Sequence, residues 1–571
     1  MLGCILQNNI KRKHMKSNLK QLHRVFIAAV CLLFLGTSAQ SQTRNDIAEL
    51  ERPRLVVGLV VDQMRWDYLM RFADRYGDGG FRRIMRDGYN CNRTFINYLP
   101  AVTAVGHTSV WTATVPAFHG IVGNTVYKNG KRVYCTNDET VLGIGSLDKN
   151  GNPDPHAYGA QESPRNMKCT TVGDELRLAT NFRSKVIGVA LKDRAAILPA
   201  GHSANAAYWM DDKSTNFITS TYYMSDLPQW VKDFNAQKLG DKYVKNIKNG
   251  YWDLLYDEKT YVQSPPKNQR WEERPDGSIK RSPWGMTITF DMARAAVEGE
   301  NLGHNPSNVP DMLCLSISTT DMLGHMLSLN SIWMEDLYLR LDKELEAFLN
   351  YLDEKIGRNQ WLFFLAADHA GFHNTAFMQD HHLPADTWLS ALLVGELNDH
   401  LCSELSLSEK PVERVRDQQL HFTQAAKLSD RYEEILRATC DYLNAMPQVS
   451  YAFPANATPD YVPEPLRTMC INGYCPDRSG EVQLVFQPGV MEDYASADEV
   501  KRPGHIRMGT THSVWSPDDT HIPLAFLGWK VPYGWDNRRH YIVDIAATVA
   551  ALLNIQEPNC CVGEAIDFTT K

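Results

Sequence analysis

Leu55-Val-Val-Gly-Leu-Val-Val61 is followed at once by Asp62, an unbroken apolar run closed by a carboxylate. A valine-rich run without polar alternation predicts a strand buried on both faces, as in a parallel sheet covered by helices. Four more runs share this character: Val186 to Leu191, Met312 to Ser318, Trp361 to Ala366 and Ile522 to Leu527. Between them the spacing turns helical. Leu337, Leu341, Leu345, Phe348 and Leu352 trace one face of a helix, and Asp544 to Leu553 predicts another. Alternating strands and helices predict an α/β fold with a mainly parallel central sheet flanked by helices on both faces.

Polar residues with ligand chemistry sit directly behind these runs. Lys192 and Arg194 follow the second, Asp321 and His325 the third, and Asp368 and His369 the fourth. Open α/β sheets bind ligands outside the carboxyl ends of their strands, so these groups are expected to converge on one crevice. Singly, each has a plainer reading. An Asp after a strand is often a turn former or helix cap, and Asp321-x3-His325 is a common spacing. Asp368-His369 says more, because small residues in Ala366-Ala-Asp-His-Ala-Gly371 allow close approach. Recurrence at several strand ends is what points to a metal site.

A further stretch, Asn97-Tyr-Leu-Pro-Ala-Val-Thr103-Ala-Val-Gly-His107-Thr-Ser-Val-Trp-Thr112, predicts a loop entering a helix near Thr103. The helix N-terminus offers unpaired N–H groups and a positive dipole end, both favourable to a phosphate dianion. Capping the helix is the plainer role for Thr103.

The chain has 571 residues, 43% of them hydrophobic and 22% charged, as in ordinary globular proteins. Its net charge of −8 and the lack of any long like-charge run exclude binding of a nucleic-acid polymer through a basic face. A basic stretch ending at Arg24, an apolar run from Val25 to Leu35 and small residues through Ser41 read as a cleaved signal peptide over 1–41, with Met15 as an alternative start. The apolar run is short for a bilayer span, so no stable membrane anchor is expected. Export to a periplasmic or extracellular compartment would carry all cysteines but Cys4 and Cys31 into oxidising surroundings, with Cys470, Cys475, Cys560 and Cys561 as candidate disulfide participants. The catalytic core is expected over 50–203, 284–394 and 504–571, interrupted by insertions at 204–283 and 395–503 that cap the site.

Thr103-Ala-Val-Gly-His-Thr-Ser109, Pro116-Ala-Phe-His-Gly-Ile-Val-Gly-Asn124, Leu191-Lys-Asp-Arg194, Asp321-x3-His325, Asp368-His369 and Gly509-Thr-Thr-His512 together resemble the secreted Thr-nucleophile alkaline phosphatases of the PafA type. More distantly they are similar to the nucleotide pyrophosphatase/phosphodiesterases of the same superfamily. The resemblance runs from about Arg54 to the C-terminus. It implies two Zn2+ per chain, one held by Asp321, His325 and His512, the other by Asp62, Asp368 and His369 with Thr103 Oγ. It also implies a Thr103 nucleophile that forms a phosphothreonine, with Asn124, Lys192 and Arg194 on the non-bridging oxygens. Carboxylate and imidazole ligands suit zinc on chemical grounds alone.

The Lys192/Arg194 pair favours small phosphate monoesters, whose dianionic group offers more negative oxygen than a diester. A phosphodiesterase or nucleotide pyrophosphatase with the same site is the competing reading. A sulfatase is disfavoured because Thr103-Ala-Val-Gly-His107 stands where a Cys/Ser-x-Pro-x-Arg motif belongs, and a non-catalytic scaffold because none of the implied ligands is missing. Asp380-His381-His382, His107 and His119 are read as loop, helix and turn residues rather than ligands, while His521 competes for the last ligand position, where His512 is preferred for its Gly-Thr-Thr-His setting and its place ahead of the Ile522 strand.

Overall fold

The computed structural model describes residues 51–128, 130–245, 252–263, 278–493, 495–500 and 509–569, so the expected signal peptide lies outside the described residues. An 11-stranded sheet forms the centre. Its strands are β1 (Leu55–Val61), β2 (Tyr89–Phe95), β3 (Gly143–Ile144), β4 (Val186–Ala190), β5 (Ala206–Met210), β6 (Phe217–Ser220), β7 (Asp311–Ile317), β8 (Trp361–Ala366), β9 (His521–Ile522), β10 (Leu524–Gly528) and β11 (Gly534–Tyr541). The order is β9-β2-β10-β8-β1-β7-β4-β5-β6-β3, with β11 on β2. Strands β8, β1, β7 and β4 are adjacent and parallel. Every residue of these four is buried, which explains their lack of polar alternation.

The run from Ile522 to Leu527 behaves differently from the other four. Pro523 cannot donate to a ladder and divides it into β9 and β10. Strand β10 then lies antiparallel to β8, with Ala525 opposite Leu365. Because β10 runs backwards, the chain enters it at the end where β8 leaves, and residues just upstream arrive on the carboxyl-end side.

Five helices matter for the site and its support: α1 (Thr103–Thr112), α2 (Asp193–Ala200), α3 (Thr319–Leu327), α4 (Ile332–Leu352) and α5 (Asp544–Leu553). On α4 the apolar face from Leu337 to Leu352 is fully buried, as its spacing requires. Helix α1 is buried on all sides, and its hydroxyls are satisfied internally: Thr108 donates to the Ala104 carbonyl at 2.7 Å and Thr112 to that of Thr108 at 2.8 Å.

Residues 204–283, read above as an insertion, supply β5 and β6 to the central sheet. Two buried carboxylates of α4 then fasten residues 252–263. Asp336 accepts from Trp252 Nε1 at 2.8 Å and Leu255 N at 2.7 Å, and Glu335 from the backbone of Val262 and Gln263 at 3.1 Å. Within 395–503, strands Val412–Arg416, Gln419–Phe422, Val482–Phe486 and Val449–Pro454 form a separate 4-stranded antiparallel sheet. It has its own apolar core, which includes Leu397, Leu420, Phe422 and Phe486. The cysteines among the described residues are free thiols, Cys470 and Cys475 both buried, and none of the described residues forms a helix long and apolar enough to cross a membrane.

Leu59 of β1 is 0% exposed and pairs in register with Leu365 and Leu315. Leu59→Ala is expected to lower unfolding free energy by about 2–5 kcal/mol in guanidinium titration, from lost burial and an uncollapsed cavity. A loss below about 1 kcal/mol would show that this layer repacks freely.

Candidate active site

Asp62 follows β1, Lys192 follows β4, Asp321 lies in the first turn of α3 after β7, and Asp368 and His369 follow β8. Since β8, β1, β7 and β4 are neighbours, their carboxyl ends deliver these side chains to one place. His325 stands one turn after Asp321 on the same helix face. The segment carrying His512 is bound along α3: Thr510 N donates to the Gly324 carbonyl at 2.8 Å and Thr510 O accepts from His325 Nδ1 at 2.9 Å.

The ligand atoms of Asp321, His325 and His512 lie within 4.8 Å of one another. So do those of Asp62, Asp321 and His369, and those of Asp62, His107 and Asp368. His369 Nε2 is 3.4 Å from Asp62 Oδ1, 3.5 Å from Asp368 Oδ2 and 3.4 Å from Thr103 Oγ. The two ligand sets inferred from the resemblance thus form a continuous cluster in which Asp321 reaches toward both.

The donor chemistry fits divalent ions. His325, His369 and His512 each direct Nδ1 to a backbone carbonyl, of Thr510 at 2.9 Å, Ala370 at 2.8 Å and Ala101 at 2.9 Å. A carbonyl only accepts, so Nδ1 carries a proton in each ring, and the buried rings of His369 and His512 present an Nε2 lone pair to the carboxylates. Burial holds His369 below the ordinary imidazole range and His512 well below it. Asp62 Oδ1 and Asp368 Oδ2 are buried without a donor. Lone pairs facing carboxylate oxygens repel unless a cation lies between them.

Burial, and then the other two carboxylates, raises Asp62 well above its usual range. Burial also lifts Asp368 to about 7. Burial opposes ionisation of Asp321 too, but His325 and Lys192 outweigh it and hold that carboxyl well below the usual range. One protein cation is already inside the cluster: Lys192 Nζ lies 2.5 Å from Asp62 Oδ2 and 2.6 Å from Asp321 Oδ2. Despite burial, Asp321 and Asp62 keep it protonated.

Thr103 begins α1 and is 1% exposed. Asn124 Oδ1 accepts from Ala104 N at 3.0 Å, which caps α1 from outside and leaves the Asn124 amide N–H groups for another acceptor. Gly106 permits the close approach of α1 to the end of β8, because a Cβ there would stand 2.0 Å from the Asp368 carbonyl oxygen. Arg194, in the first turn of α2, donates from Nη1 to Tyr134 Oη at 3.0 Å. Its charge acts on Asp62 and His107 at longer range.

Two contacts were not visible in the sequence. Gln63, at φ 63, donates from its backbone to Asp368 Oδ1 at 3.2 Å and from Nε2 to Asp321 Oδ1 at 2.9 Å, tying two strand ends together. His107, read as a helix residue, lies 3.5 Å from Asp368 Oδ2 and 3.3 Å from Ser316 Oγ; the small residues around it were the available hint. His119 instead pairs with Ser109 at 3.1 Å. His521 stacks on Trp66 and Phe95, and His381 bonds to the Phe377 carbonyl.

Residues 56–514 match the family model described as type I phosphodiesterase / nucleotide pyrophosphatase. The chain is 41% identical to alkaline phosphatase PafA of Elizabethkingia meningoseptica over 542 residues, 90% of this chain and 94% of that protein. It is 40% identical over 565 residues to a Myroides odoratus protein named calcium-transporting ATPase, covering 95% of this chain and 98% of that one. The crystal structure of wild-type PafA matches with a TM-score of 0.82 at 40% identity, over 90% of this chain and 99% of that chain.

Gly106→Ala is expected to push α1 off the end of β8, with about 1–3 kcal/mol lost to overpacking and a fall in divalent-ion affinity. Wild-type ion affinity by chelator competition would show that α1 shifts without disturbing Asp368. Because Asp368 holds a proton up to about 7 in the ion-free site, ion binding must displace it. Zinc affinity from chelator competition should therefore rise between about pH 6 and pH 8 more steeply than chelator protonation explains; a flat profile would contradict this.

Proposed function

This chain belongs to the type I phosphodiesterase / nucleotide pyrophosphatase family, and from that premise we infer that it is an alkaline phosphatase, a phosphoric monoester hydrolase in which Thr103 is the nucleophile. The observation that carries this reading is the placement of Thr103 Oγ at a helix N-terminus, 3.4 Å from His369 Nε2 on the edge of the carboxylate and imidazole cluster. The cluster suits two zinc ions, which when bound supply Lewis acidity for an attacking hydroxyl and a leaving oxygen. Asp321, His325 and His512 would hold one, and Asp62, Asp368 and His369 the other.

The protein's own groups account for the remaining steps. The Thr103 oxygen bonds to phosphorus as the ester P–O bond breaks, and the proton that the hydroxyl gives up ends on the leaving oxygen, which departs as the alcohol. Water then cleaves the Thr103 phosphate ester, releasing inorganic phosphate and restoring the hydroxyl. The Asn124 amide, the Lys192 ammonium and the Arg194 guanidinium stabilise charge on the non-bridging oxygens. A helix N-terminus beneath the same oxygens adds to that field. The leader at 1–41 supports export to a periplasmic or extracellular site.

A diesterase using the same nucleophile is the second reading, favoured by the family's own description. Lys192 and Arg194 separate the two, since a transferring dianion gains more from both cations than a diester monoanion does.

We expect kcat/KM for p-nitrophenyl phosphate to exceed that for bis-p-nitrophenyl phosphate. Activity should be lost on EDTA treatment, restored by zinc, and reduced about 10³-fold or more in Thr103→Ala. ATP belongs in the substrate panel because the Myroides relative is named for its hydrolysis. Diester preference would move the assignment to phosphodiesterase, and full activity in Thr103→Ala would remove the nucleophile.

A further inference from the structure

Arg194 is bonded to a group outside the carboxylate cluster, the Tyr134 hydroxyl. Resting on the reading that its guanidinium contacts the transferring group, we propose that Tyr134 is a positioning residue which aims Arg194 and couples it to Asn124 through one β-hairpin, thereby setting the preference for monoesters. Strand Thr125–Lys128 starts directly after Asn124 and pairs with Lys131–Tyr134, Thr125 opposite Tyr134. Cys135 N donates to the Asn124 carbonyl at 3.1 Å and closes the open end of the hairpin. Asn124 and Tyr134 therefore leave the same end of one two-stranded unit and move together.

The polarity of the Tyr134 hydroxyl is fixed by its partners. It donates to Asp193 Oδ1 at 2.6 Å and accepts from Arg194 Nη1 at 3.0 Å. A carboxylate only accepts and a guanidinium only donates, so no other arrangement satisfies both. Asp193 is oriented in turn by the backbone N–H of Arg194. Burial keeps the phenol protonated well beyond its ordinary range. Nearby Glu162 is raised to about 9 by burial and by Asp193, so at neutral pH it does not compete for the guanidinium.

Arg194 Nη1 and Asp193 Oδ1 stand 4.0 Å apart, with the phenol oxygen bonded to both. Without that oxygen the two charges are drawn into direct contact, which turns the guanidinium toward Asp193. Arg194 Nε has no protein partner among the described residues, so rotation of the group breaks no compensating bond.

The test is a double-mutant cycle of Tyr134→Phe and Arg194→Ala. It is read as kcat and KM with p-nitrophenyl phosphate and bis-p-nitrophenyl phosphate, and as inhibition by inorganic phosphate, on zinc-loaded protein with an unchanged melting temperature. Tyr134→Phe should lower monoester kcat/KM by about tenfold or more and weaken inorganic phosphate to a similar extent, as expected for a lost bond to a charged group. Diester turnover should change by less than about threefold, and Tyr134→Phe should cost nothing further in the Arg194→Ala background. Wild-type behaviour of Tyr134→Phe, or equal losses in both backgrounds and for both substrates, would overturn the inference and leave Arg194 as a phosphate contact. A silent Arg194→Ala would instead sink the reading beneath it, and the inference with it.

Discussion

Three buried carboxylates, Asp62, Asp321 and Asp368, meet at the ends of adjacent parallel strands, and their mutual repulsion is the constraint to which the rest of the site responds. Removing such charges from water costs several kcal/mol each unless cations compensate them. Lys192 supplies one positive charge by bridging Asp62 and Asp321. His369 and His512 add donor atoms rather than charge, because burial keeps both rings neutral and a backbone carbonyl fixes the proton of each on Nδ1. What remains is a set of carboxyls whose ionisation burial resists until a cation arrives, beside directed lone pairs, which is the chemistry of a divalent-ion site.

The scaffold has to hold these repelling groups in place. Buried parallel strands do so because their ends cannot slide without moving an apolar core on both faces of the sheet. Gln63 adds a direct tie between the ends of β1, β7 and β8. The approach of α1 to Asp368 depends on the missing side chain at Gly106. Asn124 then caps α1 from outside the helix, so Thr103, its helix and Asn124 are held together by a single hydrogen bond.

Much of this was legible in the sequence because it depends on local order. An apolar run predicts a buried strand, and the residue behind it inherits the strand's carboxyl end; Asp62, Lys192, Asp321, Asp368 and His369 could be placed on that basis. His512 could be placed only through the family motif, since it reaches the cluster along a loop bound to α3. The antiparallel turn of β10 was hidden because a buried run carries no record of its direction. β5 and β6 were missed because two short strands among aromatic and polar residues lack the valine-rich character of the central ones. Gln63, His107 and Tyr134 act through contacts made by distant segments, and no periodicity encodes those.

The division between monoesterase and diesterase turns on how many positive groups would surround the transferring phosphoryl oxygens, whereas Thr103 and the carboxylate and imidazole cluster would serve either chemistry. That chemistry in turn rests on cations occupying the carboxylate cluster beside Thr103. Anomalous diffraction recorded above and below the zinc edge, on crystals of the zinc-loaded protein, tests this most directly. The account predicts two peaks, one among Asp321, His325 and His512 and one among Asp62, Asp368 and His369. A single peak, or peaks away from these residues, would contradict it.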